Sequence, residues 1–342
     1  MSKVAIVILN WNGRKLLEQF LPSVVKYSKA ENVEIVVADN FSTDDSHLFL
    51  RTNYPQIRYI QLSENYGYAG GYNKALEKVD AEYFVLLNSD VEVTENWLQP
   101  VIDYLDANKD VVAVQPKILA QRDKSKFEYA GAAGGYIDKY GYPFCRGRIF
   151  SKVEEDRGQY DDPIDIFWAS GACLIIRSES FHQEGGFDES FFAHMEEIDL
   201  CWRLNARGKR VVCLPVSTVY HVGAATLSVE SPRKTFLNFR NNLLMLYKNL
   251  PQESLYRVMW IRVFLDYLAA IQFSIKGNFR NAKAVFDAHS DFLKIRKEYR
   301  TIRSENLAQT VISPLITIYP KSILFQYHIL RNKIFSKLQA FN

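Results

Sequence analysis

Short apolar runs alternate with helix-forming stretches over the first third of the chain, and this alternation limits the possible folds more than any other feature. The apolar runs are rich in β-branched and aromatic residues, whereas the stretches between them carry apolar residues at helical spacing. The predicted strands are 4–9, 34–38, 57–62, 83–87 and 111–115, and the predicted helices are 14–27, 44–51, 70–79 and 95–107. This order predicts an α/β fold with a mostly parallel central sheet and helices on both faces.

The remainder of the chain is less regular. Residues 121–162 are rich in glycine, tyrosine and charge, which favours a loop or hairpin excursion from the sheet. Strand character returns at 172–176, and a helix is predicted at 196–207. From Pro232 onward the sequence predicts no strand, only helices at 235–249, 253–276 and 281–303. A helical extension therefore follows the sheet.

Charge is distributed unevenly along the chain. Residues 233–342 carry 18 Lys and Arg against 6 Asp and Glu, a balance of +12, whereas the whole chain has a net charge of +3. Such a basic region favours an anionic partner, either membrane lipid or nucleic acid, although a solvated basic helix face has the same composition. The cysteines, Cys145, Cys173, Cys201 and Cys213, form no CxxC pair, and no secretion signal precedes the first strand. We therefore expect a cytoplasmic protein with reduced cysteines and no zinc site.

Polar residues follow each of the first four predicted strands, in the stretches ILNWNG, VADNFSTDDS, SENYGYAGGYN and NSD. Taken singly, each is most simply explained as a loop with a helix cap. Together they are expected along one sheet edge, where ligands of such folds bind. Asp39 can accept hydrogen bonds from a nucleobase or a ribose hydroxyl. Gly67, Gly70 and Gly71 allow close backbone approach, and a helix opened by the last two favours a phosphate. Asp90 offers a hard oxygen ligand for Mg²⁺ or Mn²⁺.

With LLNSDVEV, GACLIIRSESFHQEGGFDESFFAHMEEIDLCWRLNARG and VYHVGAAT, these stretches occur in an order that resembles family-2 inverting glycosyltransferases, most closely the bacterial rhamnosyltransferase-like branch. The resemblance runs from about residue 3 to about residue 249. It implies a GT-A type fold, a nucleotide-sugar donor and a divalent metal, Mg²⁺ or Mn²⁺. It also implies that Asn88-Ser89-Asp90 takes the DXD position, with Asn88 in place of the first aspartate. Asp90 is then the main carboxylate ligand, and the metal site is expected to be weak and substrate-dependent.

The resemblance also implies which other residues contact the donor and the metal. Arg240 is expected within reach of the diphosphate, and His221 is expected either to complete the metal site or to contact the diphosphate. A lone histidine is equally often structural. The residues implied in donor binding are Leu9, Asn10, Asn12, Asp39, Asn65, Gly67, Gly70, Asn88, Ser89 and Arg240.

Inversion at an anomeric carbon needs one carboxylate that deprotonates the acceptor hydroxyl. The stretch HMEEIDLCWR resembles the Glu-Asp element of the family, whose second acid is the usual base, and here that position is Glu197. The extra methylene moves the carboxylate by about one bond length, which keeps Glu196 as the alternative base. Asp199 is expected to be a first-turn acid or a partner of an arginine. Both glutamates are also explained without catalysis, as favourable charges in the first turn of a helix.

Other acceptor-side features have two interpretations each. Residues 185–188 are either a mobile acceptor-side loop or a simple turn, and Trp168 and Trp202 are either core residues or an acceptor platform. Residues 255–277 are apolar for much of their length but contain charged residues, which favours an amphipathic helix at a membrane surface over a membrane span. Ordinary packing of this helix on the preceding domain explains the pattern equally well.

We therefore expect a GT-A catalytic domain over residues 1–232, with a nucleotide-sugar half of about 1–117 and an acceptor half of about 118–232, followed by a basic helical region over 233–342. The expected reaction transfers a sugar from a UDP- or dTDP-donor to a saccharide. A lipid-linked acceptor would suit peripheral attachment to the inner face of the cytoplasmic membrane. The alternatives are a nucleotidyltransferase that makes the activated sugar, a nucleic-acid-binding protein acting through the basic helices, and a non-catalytic sugar-binding protein. A nucleic-acid partner is not expected.

Overall fold

A computed structural model describes residues 2–223 and 231–338. The strands, in chain order, are β1 (Ser2–Asn10), β2 (Val33–Asp39), β3 (Arg58–Gln61), β4 (Ala81–Asn88), β5 (Val91–Val93), β6 (Val111–Ala120), β7 (Asp123–Phe127), β8 (Gly135–Asp138), β9 (Pro143–Cys145), β10 (Arg148–Ile149), β11 (Lys152–Val153), β12 (Ile164–Asp165), β13 (Cys173–Arg177), β14 (Arg210–His221) and β15 (Ile318–Tyr319). The helices are α1 (Arg14–Tyr27), α2 (Ser46–Asn53), α3 (Gly67–Leu76), α4 (Gln99–Ala107), α5 (Ser178–Gln183), α6 (Glu196–Ala206), α7 (Pro232–Asn249), α8 (Gln252–Ile275), α9 (Phe279–Ile295), α10 (Arg300–Ala308) and α11 (Ile323–His328).

The central sheet has the order β12-β14-β6-β13-β4-β1-β2-β3, with β5 paired to β14 and β7 paired to β6. Strands β3, β2, β1 and β4 are parallel, and β13 runs antiparallel between β4 and β6. The interior of β1 and most of β4 are buried, as expected for strands covered on both faces. The predicted α/β architecture with a mostly parallel sheet is therefore confirmed.

The region predicted as a loop or hairpin excursion contains a second, smaller sheet. Its order is β11-β10-β9-β8-β15, and its strands are two to four residues long. Strand β15 comes from the C-terminal part of the chain and pairs in parallel with β8. The prediction that no strand follows Pro232 is therefore wrong. A two-residue strand has too few residues to show a period, which explains why the sequence gave no signal.

The C-terminal helices pack on one another, and α7 joins them to α6. The predicted helix at 281–303 is two helices, α9 and α10, with a break between them. Helix α7 contacts α6, α8, α9 and α10. Helix α8 is long and apolar enough to cross a membrane by length and composition alone, which is weak evidence, and only 22% of its most apolar stretch is buried.

Candidate active site

The polar residues that follow β1, β2 and β4 lie side by side at one edge of the central sheet. In the strand register Asn10 is opposite Asp39, and Leu9 is opposite Asn88. Parallel pairing brings the carboxyl ends of all three strands together, so this edge holds the residues expected to bind the donor. Leu9 itself is half-buried and packs against the core, with its side chain beside Gly71.

Asp39 organises the loop that follows β2. Its carboxylate accepts hydrogen bonds from Asn10 Nδ2 at 2.9 Å, the Ser42 amide at 2.9 Å and Gln61 Nε2 at 3.0 Å, and the residue is 1% exposed. Oδ1 of Asn10 is buried without a hydrogen-bond partner. The phenol of Tyr59 also interacts with this carboxylate, so groups of the protein surround Asp39.

Asn12 joins the loops after β1 and β2. Its φ is 50°, and its Oδ1 accepts hydrogen bonds from the amides of Thr43 at 2.7 Å and Asp44 at 3.3 Å. Asp44 in turn accepts a hydrogen bond from the Arg14 amide, 2.9 Å away, in the first turn of α1. Asn12 therefore fixes the shape of the edge, and its exposed position leaves its amide group open to solvent.

The N-terminus of α3 is occupied by the protein itself. The helix begins at Gly67, three residues before the predicted start, and the amides of Tyr68 and Ala69 both donate to the carbonyl oxygen of Phe192, at 2.6 and 3.1 Å. The Gly67 amide donates to Asn65 Oδ1 at 2.9 Å. The predicted use of this helix end for a phosphate is therefore wrong for this conformation, because its first amides already have acceptors. Gly67 has φ 70°, and a Cβ there would collide with Phe192. Gly70 packs closely on Tyr66, so both glycines serve close packing.

Asp90 and His221 form the candidate metal centre. Oδ1 of Asp90 lies 3.1 Å from Nε2 of His221, and Asn88 Nδ2 lies 3.4 Å from the same nitrogen. On its other side, His221 Nδ1 lies 3.5 Å from Oε2 of buried Glu128. Burial alone would lower the pKa of His221, but the hydrogen bonds to Asp90 and Glu128 outweigh it and raise the pKa to about 10. The imidazole of His221 therefore lies between two carboxylates, those of Asp90 and Glu128.

The donor set fits a divalent cation under one condition. A metal-binding histidine commonly gives its second ring N–H to a carboxylate, and Glu128 is in that position behind His221. In the described ranges 2–223 and 231–338 no group of three His, Cys, Asp or Glu side chains converges on one point. Asp90 and His221 therefore suit a Mg²⁺- or Mn²⁺-type ion only if substrate phosphate oxygens and water complete its shell. Ser89 lies close to Gly13, at the same edge.

Glu196 and Glu197 begin α6 and carry orphaned polar atoms. Oε2 of each glutamate and Nε2 of nearby His194 are buried without hydrogen-bond partners, although buried polar groups rarely lack them. Burial raises the pKa of Glu197 to about 7, and backbone hydrogen bonds from Glu197, Ile198 and Gly171 limit the rise. Burial and neighbouring Glu197 raise the pKa of Glu196 well above its usual value. The protonated form of both glutamates is therefore favoured more than it is in an exposed glutamate.

The backbone at Gly171 and Ala172 lies between Glu197 and the end of β4. The Gly171 amide donates a hydrogen bond to the Glu197 carboxylate. The carbonyl oxygen of the next residue, Ala172, accepts a hydrogen bond from the Asn88 amide at 3.0 Å. A side chain at position 171 would meet Tyr68, because a Cβ would lie 2.5 Å from Tyr68 Oη. The carboxylate of Glu197 therefore lies beside the backbone that also pairs with the end of β4.

Asp199 has a structural role. Its buried carboxylate contacts Lys248 Nζ at 2.9 Å, Arg203 Nε at 3.1 Å and Asn249 Nδ2 at 2.9 Å. Burial would raise the pKa of Asp199, but the Lys248 and Arg203 cations and the hydrogen bonds lower it. The predicted role as an arginine partner is confirmed, and Lys248 is a second cation that the sequence did not indicate.

A strained turn leads into the two glutamates. Phe192, His194 and Met195 have φ values of 62°, 73° and 74°, in the left-handed region that such side chains rarely adopt. The buried amide of Asn241 holds this turn, because its Nδ2 lies 2.9, 3.0 and 2.8 Å from the carbonyl oxygens of residues 191, 193 and 194. Asn241, which donates to these carbonyl oxygens, was not among the predicted site residues.

Arg240 supports the turn before α6. Its guanidinium donates to the Ser190 carbonyl at 2.6 Å and to Asn241 Oδ1 at 2.9 Å, and it lies 3.5 Å from Asp291 Oδ2. These contacts leave some of its five N–H donors unused, and its contact with the diphosphate stays a prediction.

The structure shows residues 185–188 as a turn and both Trp168 and Trp202 as buried residues. Residues 185–188 form a turn held by Asn73, which bonds both the amide and the carbonyl of Phe187, and by Lys248, 2.7 Å from Asp188. Trp168 is buried and donates to the Tyr136 carbonyl at 3.0 Å, so it is a core residue. Trp202 is buried too and lines a cavity of about 520 Å³ between α6, α7 and α8.

Sequence reasoning missed Glu128, Gly171 and Asn241. Each is distant in sequence from the residue that it contacts. Glu128 contacts His221, Gly171 contacts Glu197, and Asn241 contacts the turn at residues 191–194. The motif residues Ala224, Ala225 and Thr226 lie outside the described residues.

With this geometry in hand, comparison with known proteins defines the class. The sequence profile of glycosyl transferase family 2 matches residues 5–185, more than half of the chain. The chain therefore belongs to glycosyl transferase family 2, and it is an enzyme of that family with rhamnosyltransferase-like relatives.

Two relatives show the range of the match. The chain is 27% identical over 234 residues to the N-acetylglucosaminyl-diphospho-decaprenol L-rhamnosyltransferase of Mycobacterium tuberculosis, covering 63% of this chain and 75% of that protein. It is 28% identical over 240 residues to the O-antigen biosynthesis protein RfbC of Myxococcus xanthus, covering 67% of this chain but only 18% of the much longer relative.

Solved structures confirm the GT-A type fold. TarS residues 1–349 of S. aureus, in complex with UDP-GlcNAc, matches with a TM-score of 0.57 at 15% identity, covering 90% of this chain and 89% of that one. The mannosyltransferase PcManGT of Pyrobaculum calidifontis, in complex with GDP-Man and Mn²⁺, matches with a TM-score of 0.51 at 16% identity, covering 90% and 85%. At such identities the likeness establishes the fold alone.

Proposed function

We propose that this enzyme transfers a sugar with inversion from a UDP- or dTDP-sugar to a saccharide acceptor in bacterial cell-surface polysaccharide biosynthesis. One observation carries the proposal. Glu197, with a pKa near 7 and an orphaned Oε2, lies beside the backbone that pairs with Asn88, at the sheet edge that also holds Asp39 and Asp90. A titrating carboxylate at a ligand-binding edge is the arrangement that general-base catalysis requires.

The donor would lie across the ends of β1, β2 and β4. Asn10, whose Oδ1 has no hydrogen-bond partner, lies with Asp39 and Asn12 at this edge, and these residues would contact the nucleoside. Asp90 and His221, backed by Glu128, would hold a divalent cation. When bound there, such a cation supplies Lewis-acid stabilisation of the negative charge that develops on the leaving diphosphate.

The chemical step uses Glu197 as the base. Its ionised carboxylate accepts the proton of the acceptor hydroxyl, while the hydroxyl oxygen bonds to the anomeric carbon and the bond from that carbon to the diphosphate breaks. Burial and the adjacent carboxylate raise the pKa of Glu196 well above its usual value, which makes it a weaker candidate for accepting the proton. We therefore assign this role to Glu197 and keep Glu196 as the alternative.

The relatives narrow the substrates that we propose. The Mycobacterium tuberculosis protein is named for L-rhamnose transfer to a decaprenol-linked N-acetylglucosamine, and WbbL of Escherichia coli, 24% identical over 203 residues, is named a rhamnosyltransferase. We therefore propose L-rhamnose from a dTDP-donor as the first sugar to test, and a lipid-linked saccharide as the acceptor class.

The test is a panel of UDP- and dTDP-sugars assayed for transfer and for slow hydrolysis, with and without added Mg²⁺ or Mn²⁺. Asp90→Asn should abolish the metal-dependent activity. Glu197→Gln should lower kcat by about 10²–10⁴-fold while donor affinity changes little. Glu179→Gln, at a solvent-exposed glutamate that bonds only to Gln183, is the matched control and should retain activity.

Two outcomes would contradict the assignments. Full activity of Asp90→Asn with several donors would remove the metal centre from the proposal. A loss of kcat in Glu196→Gln with normal kcat in Glu197→Gln would move the base by one residue.

A further inference from the structure

Helix α8 presents a continuous apolar stripe to solvent. The stripe consists of Tyr256, Trp260, Phe264, Leu268, Ile271 and Ile275, all exposed, with Trp260 at 73% and Ile275 at 82%. Their spacing of three or four residues places them on one face of the helix over its whole length. Single exposed apolar residues are ordinary on a protein surface, but a contiguous row marks an interaction surface.

The opposite face of α8 is anchored by buried charge. Arg262 and Asp266 are 3.1 Å apart, and Asp266 also accepts a hydrogen bond from Tyr142 Oη at 2.9 Å and lies 3.1 Å from His289 Nε2. Arg262 donates to the Tyr140 carbonyl at 3.0 Å. Both residues belong to α8, so rotating the helix would keep their ion pair intact. It would, however, remove these buried charges from Tyr140, Tyr142 and His289, which lie on other elements, and lose those hydrogen bonds. The stripe is therefore fixed facing outward.

The same ion pair opposes a membrane-spanning position for α8. A span would have to carry Arg262 and Asp266 into the bilayer and separate them from Tyr142 and His289. Charged side chains inside the hydrocarbon core are costly. The structure instead places both charges against the protein.

The charges that do reach solvent lie at the ends of the stripe. Arg257 lies near its start, and Lys276 and Arg280 follow its end, all exposed, whereas the stripe between Trp260 and Ile275 contains no ionisable residue. Cations flanking an apolar helix face are typical of helices that lie in the surface plane of an anionic membrane. A second copy of the chain would bring an equally basic region, with a balance of +12 over 233–342, against this one.

A neighbouring segment extends the apolar surface. Ile261 and Arg257 of α8 line the 520 Å³ cavity together with Ile312 and Leu315. In the same segment, Ile316 is 84% exposed. The exposed apolar area therefore continues beyond the helix toward the strand β15.

We propose that the α8 stripe docks this enzyme in the plane of an anionic lipid bilayer, with Trp260 and Phe264 inserted and Arg257, Lys276 and Arg280 at the headgroups. The proposal does not depend on the identity of the sugar or of the catalytic base. It commits to a lipid surface, and self-association through the stripe is the competing outcome.

The test uses the full chain and sedimentation with vesicles of phosphatidylcholine, with or without phosphatidylglycerol. Trp260→Ser/Phe264→Ser should reduce binding to the mixed vesicles by about tenfold or more for each side chain removed. The matched control is Leu48→Ser/Val216→Ser, which removes two exposed apolar residues far from α8 and should bind as the wild type does. Thermal unfolding and donor hydrolysis in solution check that each variant is folded.

A second pair of measurements separates the alternatives. Arg257→Gln/Lys276→Gln/Arg280→Gln should weaken binding to the anionic vesicles and remove its dependence on salt. Equal binding of the Trp260→Ser/Phe264→Ser variant and the wild type would overturn the proposal. So would a dimer in solution that dissociates in this variant while neither protein binds vesicles. Retention of the wild type in membranes after alkaline carbonate extraction would instead indicate a spanning helix and overturn the in-plane position.

Discussion

Replacement of Asn241 by leucine tests how the turn before Glu196 and Glu197, the proposed catalytic carboxylates, is held. Leucine has the same branched shape and number of heavy atoms as asparagine, although its methyl groups are bulkier, and it cannot donate to the carbonyl oxygens of residues 191, 193 and 194. With net contributions of about 1 kcal/mol per hydrogen bond, the change removes about 2–3 kcal/mol from the turn. Each left-handed residue in that turn stores strain on the order of 1–3 kcal/mol, so relaxation of the turn competes with retaining it.

We therefore expect local relaxation instead of global unfolding. The turn runs directly into Glu196 and Glu197, and a base displaced by about 1 Å can lose about 10²-fold in rate. Asn241→Leu should lower kcat by about that factor, leave donor affinity nearly unchanged and shift the unfolding temperature only slightly. Asn241→Gln, which retains the donor group, should recover part of the rate.

The control is Asn238→Leu, one turn earlier on α7, because Asn238 donates only to the Lys234 carbonyl within its own helix, 2.8 Å away. The assay is steady-state transfer or donor hydrolysis, with donor affinity measured separately and thermal unfolding measured in parallel. An unchanged kcat for Asn241→Leu, or an equal loss in Asn238→Leu, would refute the reasoning.

Three further predictions follow from the buried acids. First, kcat should rise with pH through about 7, because Glu197 must be ionised to accept a proton, and a flat profile between about pH 5 and 8 would contradict its assignment as the base. Second, the raised pKa of Glu197 means that the folded state retains a proton that the unfolded state loses above about pH 4.3, so this contribution to stability is full at low pH and is lost as pH rises through about 7. Glu197→Gln should therefore raise the unfolding temperature relative to the wild type at pH 8 but not at pH 4, as followed by circular dichroism. Third, Asp199→Asn should lower the free energy of unfolding by about 3–5 kcal/mol in urea titration, because it removes the shared partner of Lys248 and Arg203, whereas Glu179→Gln should change it little.

Periodic, local patterns made much of the fold predictable. Helix α1 has the predicted bounds, and strands β1, β2 and β4 extend the predicted ones by one or two residues at each end. The small second sheet was not predictable in the same way. Its strands are too short to show alternation, and β15 pairs with a strand that lies far earlier in the chain, so neither period nor proximity indicates it.

Some features of the candidate site were predictable from local sequence patterns, and others were not. That Asp39, Asn10 and Asn88 share one edge follows from parallel pairing, which the strand pattern already implied. The choice between Glu196 and Glu197 depends on how deeply each carboxylate is buried and on its contact with the Gly171 backbone. The sequence cannot distinguish the two, because they are adjacent residues of the same type and charge. The sequence also could not predict that the N-terminal amides of α3 donate to another part of the protein. Their acceptor, the Phe192 carbonyl, is a backbone atom that carries no sequence signature.

Helix α7 connects the reaction centre to the surface that we assign to the membrane. Its Asn241 holds the turn before α6, and its Lys248 and Asn249 hold Asp199 within α6. On its other side, Asn242 accepts a hydrogen bond from Arg262 of α8, a buried charge whose contacts with other elements keep the apolar stripe facing outward. Because these contacts are buried and polar, each restricts rotation as well as distance. The stripe and Glu197 are therefore held in one orientation by a single helix, so a bilayer bound at α8 would meet the catalytic base at a fixed position and angle.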